Sequence, residues 1–269
     1  LRARPLADEH RKFRMNATAD SVRAQTLLRT WDSQQTAYIT DREARFEIVL
    51  DALAAVIESD SVVLDLACGP GSLTERILQR FESVRVVGVD YDPLLLELGR
   101  HALAGYGDRV TLLDVDLTDP DWTAALPHTE ISAAVSSTAL HWLSAPVLTG
   151  LYQDLGGLLP VGGVFLNADH LRFDDGRRLF SLLSDADDRR SQERGRTEGS
   201  LTWNEWFTAA TEQGPWAKYA DERTRRFANR PPNPDLSPDF HIGALRIGGF
   251  GEAGTLWQLY DDYVILAQK

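Results

Sequence analysis

Residues 61–170 alternate five times between short apolar, β-branched runs and helical spacing, and that alternation limits the possible folds more than any other feature. The runs are SVVLDLA (61–67), VRVVGVD (84–90), RVTLLDVD (109–116), ISAAVSS (131–137) and GGVFLNADH (162–170). Apolar residues three and four apart mark helices in SLTERILQRF (72–81), DPLLLELGRHAL (92–103) and PVLTGLYQDLGGLL (146–159). A wholly apolar run needs cover on both faces, and strands joined through helices run parallel. The expected fold is α/β, a doubly wound sheet. GTLWQLY (254–260) and DYVILAQ (262–268) lie too close for a crossover helix, so they form a terminal antiparallel hairpin and bring the strand count to seven.

Outside that frame, residues 1–60 carry helical spacing, and a helical cap is expected over 1–40 with the α/β domain over 41–269. Residues from about 171 to 240 break the rhythm. They hold Trp203, Trp206 and Trp216, many charges and the loop NRPPNPDLSPD (229–239), and read as a helical lid inserted into the domain. The formal net charge of −12 repels nucleic acid, and the one segment rich in arginine, 171–230, is close to neutral. One cysteine, Cys68, excludes an intrachain disulfide and reads as a small packing residue. No apolar run reaches membrane-spanning length. These features point to a cytoplasmic protein with a small-molecule partner, no nucleic acid and no membrane; a homodimer is compatible with them.

In an open α/β sheet, ligands sit beyond the carboxyl ends of the strands. Four such ends are legible: Asp65-Leu-Ala67-Cys-Gly69-Pro-Gly71, Asp90-Tyr91, Asp116-Leu117 and Ser136-Ser137. Three carry a carboxylate and none carries a lysine or arginine. A phosphate site calls for backbone N–H groups with a cation nearby. This rim instead suits a ligand bearing a cation, an amine and hydroxyls. Asp92 and Pro93 read as the N-cap and first residue of the following helix. Asp114, two residues from Asp116 on the same strand face, competes with it for a ligand role.

The motifs VVLDLACGPGSLT, VVGVDYDP, VTLLDVDL and ISAAVSSTALHWL, taken in order, resemble those of class I S-adenosylmethionine-dependent methyltransferases. The closing hairpin is similar to that family's Rossmann-like sheet. One departure is Ile131-Ser132 where the family often has an acid. The resemblance implies S-adenosyl-L-methionine as cofactor and S-adenosyl-L-homocysteine as product. It implies that Ala67, Gly69 and Gly71 pack against the methionine part and that Asp65 reaches the amino group. Asp90 would accept from both ribose hydroxyls, Tyr91 lie along the adenosine, Asp116 accept from the adenine amine and the Leu117 backbone meet a ring nitrogen. Ser136 would sit near the methionine end, and Tyr38 would close over the cofactor. A dinucleotide fingerprint would need a third glycine where Thr74 stands, so an NAD-dependent oxidoreductase is the distant rival. A non-catalytic cofactor-binding protein of the same fold is the nearer one.

LHWL and the long segment after the fifth strand also resemble the trans-aconitate group of small-molecule methyltransferases. The implied reaction is methyl transfer to a metabolite, at a hydroxyl or carboxylate oxygen. A hydroxyl acceptor needs a base, and a carboxylate needs none. His141 in STALHWL and His170 in NADH are the candidate bases. Trp142, His241, Trp203 and Trp206 are candidates for contact with the acceptor. His10, His101 and His128 read as surface residues. Asp169 and His170 alone are too few ligands for a metal, and none is expected.

Overall fold

The computed structural model describes residues 6–173, 176–212 and 214–269. The expectations for residues 1–5 and for the His10 side chain fall outside what it describes. Seven strands form one sheet in the order β3-β2-β1-β4-β5-β7-β6. They are β1 (Val62–Leu66), β2 (Arg85–Asp90), β3 (Val110–Asp114), β4 (Ala133–Ser137), β5 (Val164–His170), β6 (Glu252–Leu259) and β7 (Asp262–Gln268). β1 to β5 pair in parallel. β7 is antiparallel to both β5 and β6, as the short connection required. The strand order reverses between β1 and β4, and there the carboxyl ends open a crevice.

Period-two alternation decides what faces each layer. Val62, Leu64 and Leu66 of β1 join the apolar cluster under α5 (Ala145–Leu158) and α9 (Pro238–Ile247). Val63 joins the cluster under α2 (Arg42–Ala54) and α3 (Ser72–Arg80). Asp65 shares the Val63 face, which brings its carboxylate to the start of α3. A third cluster joins α1 (Leu6–Tyr38), α4 (Pro93–Ala102) and α7 (Trp203–Glu212). Helix α1 is therefore seated on the sheet layer and on the insertion through one shared core.

Among the described residues, the insertion carries the α-helices α6 (Arg178–Thr197), α7 and α8 (Ala220–Phe227). Ser184 and Arg172 both reach Asp261 in the turn of the β-hairpin. Trp206 is fully buried, and its Nε1 donates to the Leu27 carbonyl at 3.1 Å and to Thr30 Oγ1 at 3.2 Å. It packs edge-on against Trp31, with centroids 4.7 Å apart. Trp206 thus locks α7 to α1 and does not face an acceptor pocket, contrary to the sequence expectation. Trp216 is likewise core, buried with its Nε1 on the Ala210 carbonyl at 2.8 Å.

Candidate functional site

Beyond the carboxyl ends of β1, β2 and β4 lies a cavity of about 530 Å³. Its floor is the first βα turn. Ala67 leaves β1 at φ 52°, and Gly69 and Gly71 follow at φ 57° and 93°. A left-handed conformation at a non-glycine residue costs about 1–3 kcal/mol and tends to mark functional sites. Across the crevice Thr138 leaves β4 at φ 56°. Gly71 stands at the N-cap of α3, outside the cavity lining. A Cβ there would come within 2.6 Å of Leu103 Cδ1, so this glycine seats α3 against α4 and does not pack on a ligand.

Asp90 ends β2 and lines the cavity. Its Oδ2 accepts from the Gly69 N–H and its Oδ1 from the Asp92 N–H, both at 2.7 Å. Each carboxylate oxygen has two lone pairs, so Asp90 retains capacity for two further donors. Burial raises it to about 6. Asp65 is buried and accepts from Thr74 Oγ1 at 2.6 Å. Burial raises it to about 7, with the charge of Asp90 adding to the shift and the Thr74 hydrogen bond opposing it. Asp116 and Leu117 also line the cavity. Asp116 Oδ1 accepts from the N–H and hydroxyl of Thr118, leaving Oδ2 without a partner among the described residues. Asp114 is occupied elsewhere: Arg226 grips its two oxygens at 2.6 and 2.8 Å. Asp92 caps α4 through Leu94 and Leu95 and accepts from Arg223 Nε at 2.6 Å.

The roof comes from both covers. Helix α1 contributes Trp31 and Gln35, α7 contributes Trp203, and α8 with the following loop contributes Arg223, Phe227 and Arg230. Tyr38 lies one turn beyond Gln35, past the cavity edge, so α1 closes the site with residues other than the expected tyrosine. Tyr91 lines the wall, with the Arg226 guanidinium 4.8 Å from its ring. Ser136 is fully buried and donates to the Leu66 carbonyl at 2.9 Å, so it ties β4 to β1; Ser137, one residue on, reaches the cavity instead. Arg42 and Ser72 are among the lining residues that escaped the sequence reading; both are buried, and Arg42 Nε and Ser72 Oγ have no partner among the described residues. Arg42 sits in an unremarkable helical stretch. Only its fold neighbours give it meaning.

The histidines separate by environment. His141 follows β4 with its ring outside the cavity lining, while Leu140 and Trp142 on either side line it. Its Nδ1 lies 2.6 Å from Asp169 Oδ1, and its backbone N–H donates to Asp169 Oδ2 at 3.0 Å. Burial would raise Asp169, but the charge and hydrogen bond of His141, with His170 and Arg45, lower it to about 2. Asp169 is thus a permanent anion behind His141. His170 Nδ1 makes an ion pair of 3.0 Å with Asp262, at an angle short of a good hydrogen bond. Burial opposes a charged His170, but Asp262 outweighs it and the shift is upward. His170 is thus paired with Asp262 and lies outside the cavity lining, so the structure does not place it as the base. His241 is fully buried against Tyr152, with Nδ1 to Oη at 2.6 Å, and burial lowers it to about 4. It packs inside the α5–α9 layer, away from the cavity, as a neutral core residue. His128 is exposed, and His101 is half-buried with its ring 5.7 Å from that of Trp216.

Residues 63–163 match the methyltransferase domain family. A trans-aconitate 2-methyltransferase from Azoarcus sp. (strain BH72) is 33% identical over 137 residues, covering 49% of this chain and 50% of that protein. A ribosomal RNA small subunit methyltransferase H from Mycobacterium ulcerans (strain Agy99) is 29% identical over 175 residues, 64% of this chain and 38% of that protein. The chain spans half the length of the first relative and less of the second. Human N-acetylserotonin methyltransferase, solved with its S-adenosylmethionine, superposes with a TM-score of 0.54 at 15% identity, over 90% of this chain and 55% of that one. At that identity the superposition shows a shared fold. Among the described residues no helix is long and apolar enough to cross a membrane.

Proposed function

We propose that this chain, whose residues 63–163 match the methyltransferase domain family, is a class I S-adenosylmethionine-dependent methyltransferase that methylates an oxygen of a small-molecule metabolite. The observation that carries this reading is the set of three carboxylates, Asp65, Asp90 and Asp116, turned into one cavity from successive strand ends. Their unspent acceptor capacity matches an ammonium, a ribose diol and an adenine amine. In this assignment Asp65 takes the ammonium, Asp90 the diol and Asp116 Oδ2 the adenine amine, with Ala67, Gly69, Tyr91 and Leu117 packing along the ligand. The cap over 1–40 and the insertion over about 171–240 are its two covers, supported by the residues each sends into the lining. Bound there, S-adenosylmethionine supplies an electrophilic methyl on a sulfonium. The protein aligns the acceptor and excludes water. We assign His141, oriented by Asp169 and flanked by the lining residues Leu140 and Trp142, as the base for a hydroxyl acceptor; its ring stands just outside the lining, so it reaches that proton by turning or through one water. The dyad favours a hydroxyl over a carboxylate, and the roofed cavity favours a metabolite over a folded RNA.

Calorimetric titration with S-adenosylhomocysteine, with NAD as control, tests the cofactor assignment. Micromolar binding of the first and none of the second is expected; binding of NAD alone would move the oxidoreductase reading forward. Binding should also depend on pH with a definite sign. A protonated Asp65 cannot pair with an ammonium, so affinity should rise as pH is raised through about 7, with proton release on binding. The unliganded protein should do the opposite. Asp65 and Asp90 have folded values raised above the unfolded one, so the stability they contribute is fully present below about pH 4. It is lost as pH rises through about 6 and 7. Asp65→Asn keeps an acceptor for Thr74 and removes the buried charge. It should raise the melting temperature at pH 8 while weakening S-adenosylhomocysteine binding; a fall in both would count against the assignment.

A further inference from the structure

The backbone leaves β4 through Ser137, Thr138, Ala139 and Leu140, all of which line the cavity, and then reaches His141. Thr138 makes that exit at φ 56°, in the left-handed region that a β-branched residue rarely enters. Such a conformation persists only where its surroundings over-determine it. At Thr138 they do so from two sides. Its N–H donates to the Ala168 carbonyl at 2.9 Å, and its Oγ1 accepts from Arg45 Nη2 at 2.5 Å. Arg45 comes from α2 and is fully buried. Its Nη2 also lies 3.4 Å from Ser137 Oγ, and its Nη1 donates to Asp262 Oδ1 at 2.9 Å. Asp262 opens β7 and pairs through the same oxygen with His170. The guanidinium thus fastens the end of β4 and the residue after it to the start of β7, a task that suits its planar fork of donors. Stability alone does not account for it, because a buried ion pair contributes little beyond what well-packed apolar residues would. Three residues on from Thr138 the turn is held again, where the His141 N–H donates to Asp169 Oδ2 at 3.0 Å.

We propose that Arg45 is a positioning residue for methyl transfer: by gripping the Thr138 hydroxyl it fixes the turn after β4, and with it the place and tautomer of the His141 ring against Asp169. This rests on the reading of His141 as the base for a hydroxyl acceptor. Arg45 lies outside the cavity lining and acts through Thr138, which is in it. Without the grip, the turn is free to relax out of its left-handed conformation, and the ring at its far end loses its fixed bond to Asp169.

Long-range proton–nitrogen correlation spectra of the neutral imidazoles test this without any acceptor, because the nitrogen shifts report which ring atom carries the proton. His141→Ala assigns the His141 signals by their loss. Wild type should show His141 as a single Nδ1–H tautomer, held by Asp169. Thr138→Val keeps the shape of the side chain, leaves the Arg45–Asp262 pair in place and removes only the accepting hydroxyl. Arg45→Met removes the grip altogether, while Asp262 keeps His170 at 3.0 Å. In both variants the Nε2–H tautomer, which a free imidazole prefers, should grow in. Arg45→Lys, which keeps the charge and a donor, should restore part of the wild-type signal. Labelled methyl transfer gives the second readout. In Thr138→Val and Arg45→Met, kcat toward phenol should fall by roughly tenfold to a hundredfold, the cost of a misplaced catalytic group. Transfer to benzoate, which needs no base, and S-adenosylhomocysteine affinity should hold within about twofold. An unchanged His141 tautomer in the folded variants overturns the proposal, and so do equal losses on phenol and benzoate, which would make Arg45 a structural residue only. If Arg45→Met does not fold, Thr138→Val decides alone. A wild type without a fixed Nδ1–H tautomer would mean that the dyad itself has not formed, and the base reading would fail with it.

Discussion

Asp90→Ala should reduce S-adenosylhomocysteine affinity by roughly a hundredfold or more, since each hydrogen bond to a charged group contributes about 1.5–3 kcal/mol and two are lost. The effect is large because Asp90 works in two directions. Outward, it has free lone pairs for the two ribose hydroxyls. Inward, it accepts from the Gly69 and Asp92 N–H groups at 2.7 Å, fixing the glycine turn to the end of β2 and the start of α4. Removing it takes away the contact and loosens the turn that shapes the floor. Asp90→Asn separates these roles. An amide oxygen can keep one inward bond while its NH₂ would face the other N–H donor, so part of the affinity loss should remain and the melting temperature should fall less than in Asp90→Ala, which loses both inward bonds. Titration of both variants against wild type decides the matter. Unchanged affinity in a folded Asp90→Ala protein would remove Asp90 from the site.

The sequence disclosed the frame of this site better than its walls, for a physical reason. Strand ends are readable because an apolar run gives way to polar and glycine residues there, and the carboxylates at or near three such ends, Asp65, Asp90 and Asp116, line the cavity. The N-cap at Asp92 was legible because capping chemistry is local. The choice between Asp114 and Asp116 was not, since it depends on Arg226, which is 112 residues from Asp114 in sequence. The misplacement of Ser136 is a one-residue error at a strand end, where alternation sends neighbours in opposite directions. Trp206, His241 and Tyr38 failed for a common reason. Composition marks them as able to bind a ligand, but burial and reach are set by packing between distant segments. Arg42 and Ser72 were missed for the converse reason: neither type is unusual in a helix, and only unsatisfied burial marks them.

His141→Ala should lower the rate of methyl transfer to a hydroxyl acceptor by roughly a hundredfold to ten-thousandfold, the usual contribution of a positioned general base. The expectation follows from the contrast between the two histidines. Asp262 is shared between His170 at 3.0 Å and Arg45 at 2.9 Å, and this favours the charged form of His170. Asp169 is instead turned onto His141, gripping both its ring Nδ1 and its backbone N–H. With Nδ1 directed at an anion, Nε2 is left as the nitrogen that can accept a proton. A carboxylate acceptor needs no base, and that gives the decisive control. His141→Ala should slow labelled methyl transfer to phenols and alcohols by that factor, spare transfer to carboxylates, and leave S-adenosylhomocysteine affinity within about twofold, because the lost role belongs to proton transfer. Asp169→Asn should reproduce the kcat loss in part, with unchanged cofactor binding. Equal losses on both acceptor classes would make His141 a structural residue of the β4 loop, and full activity on hydroxyls would remove the base from the mechanism.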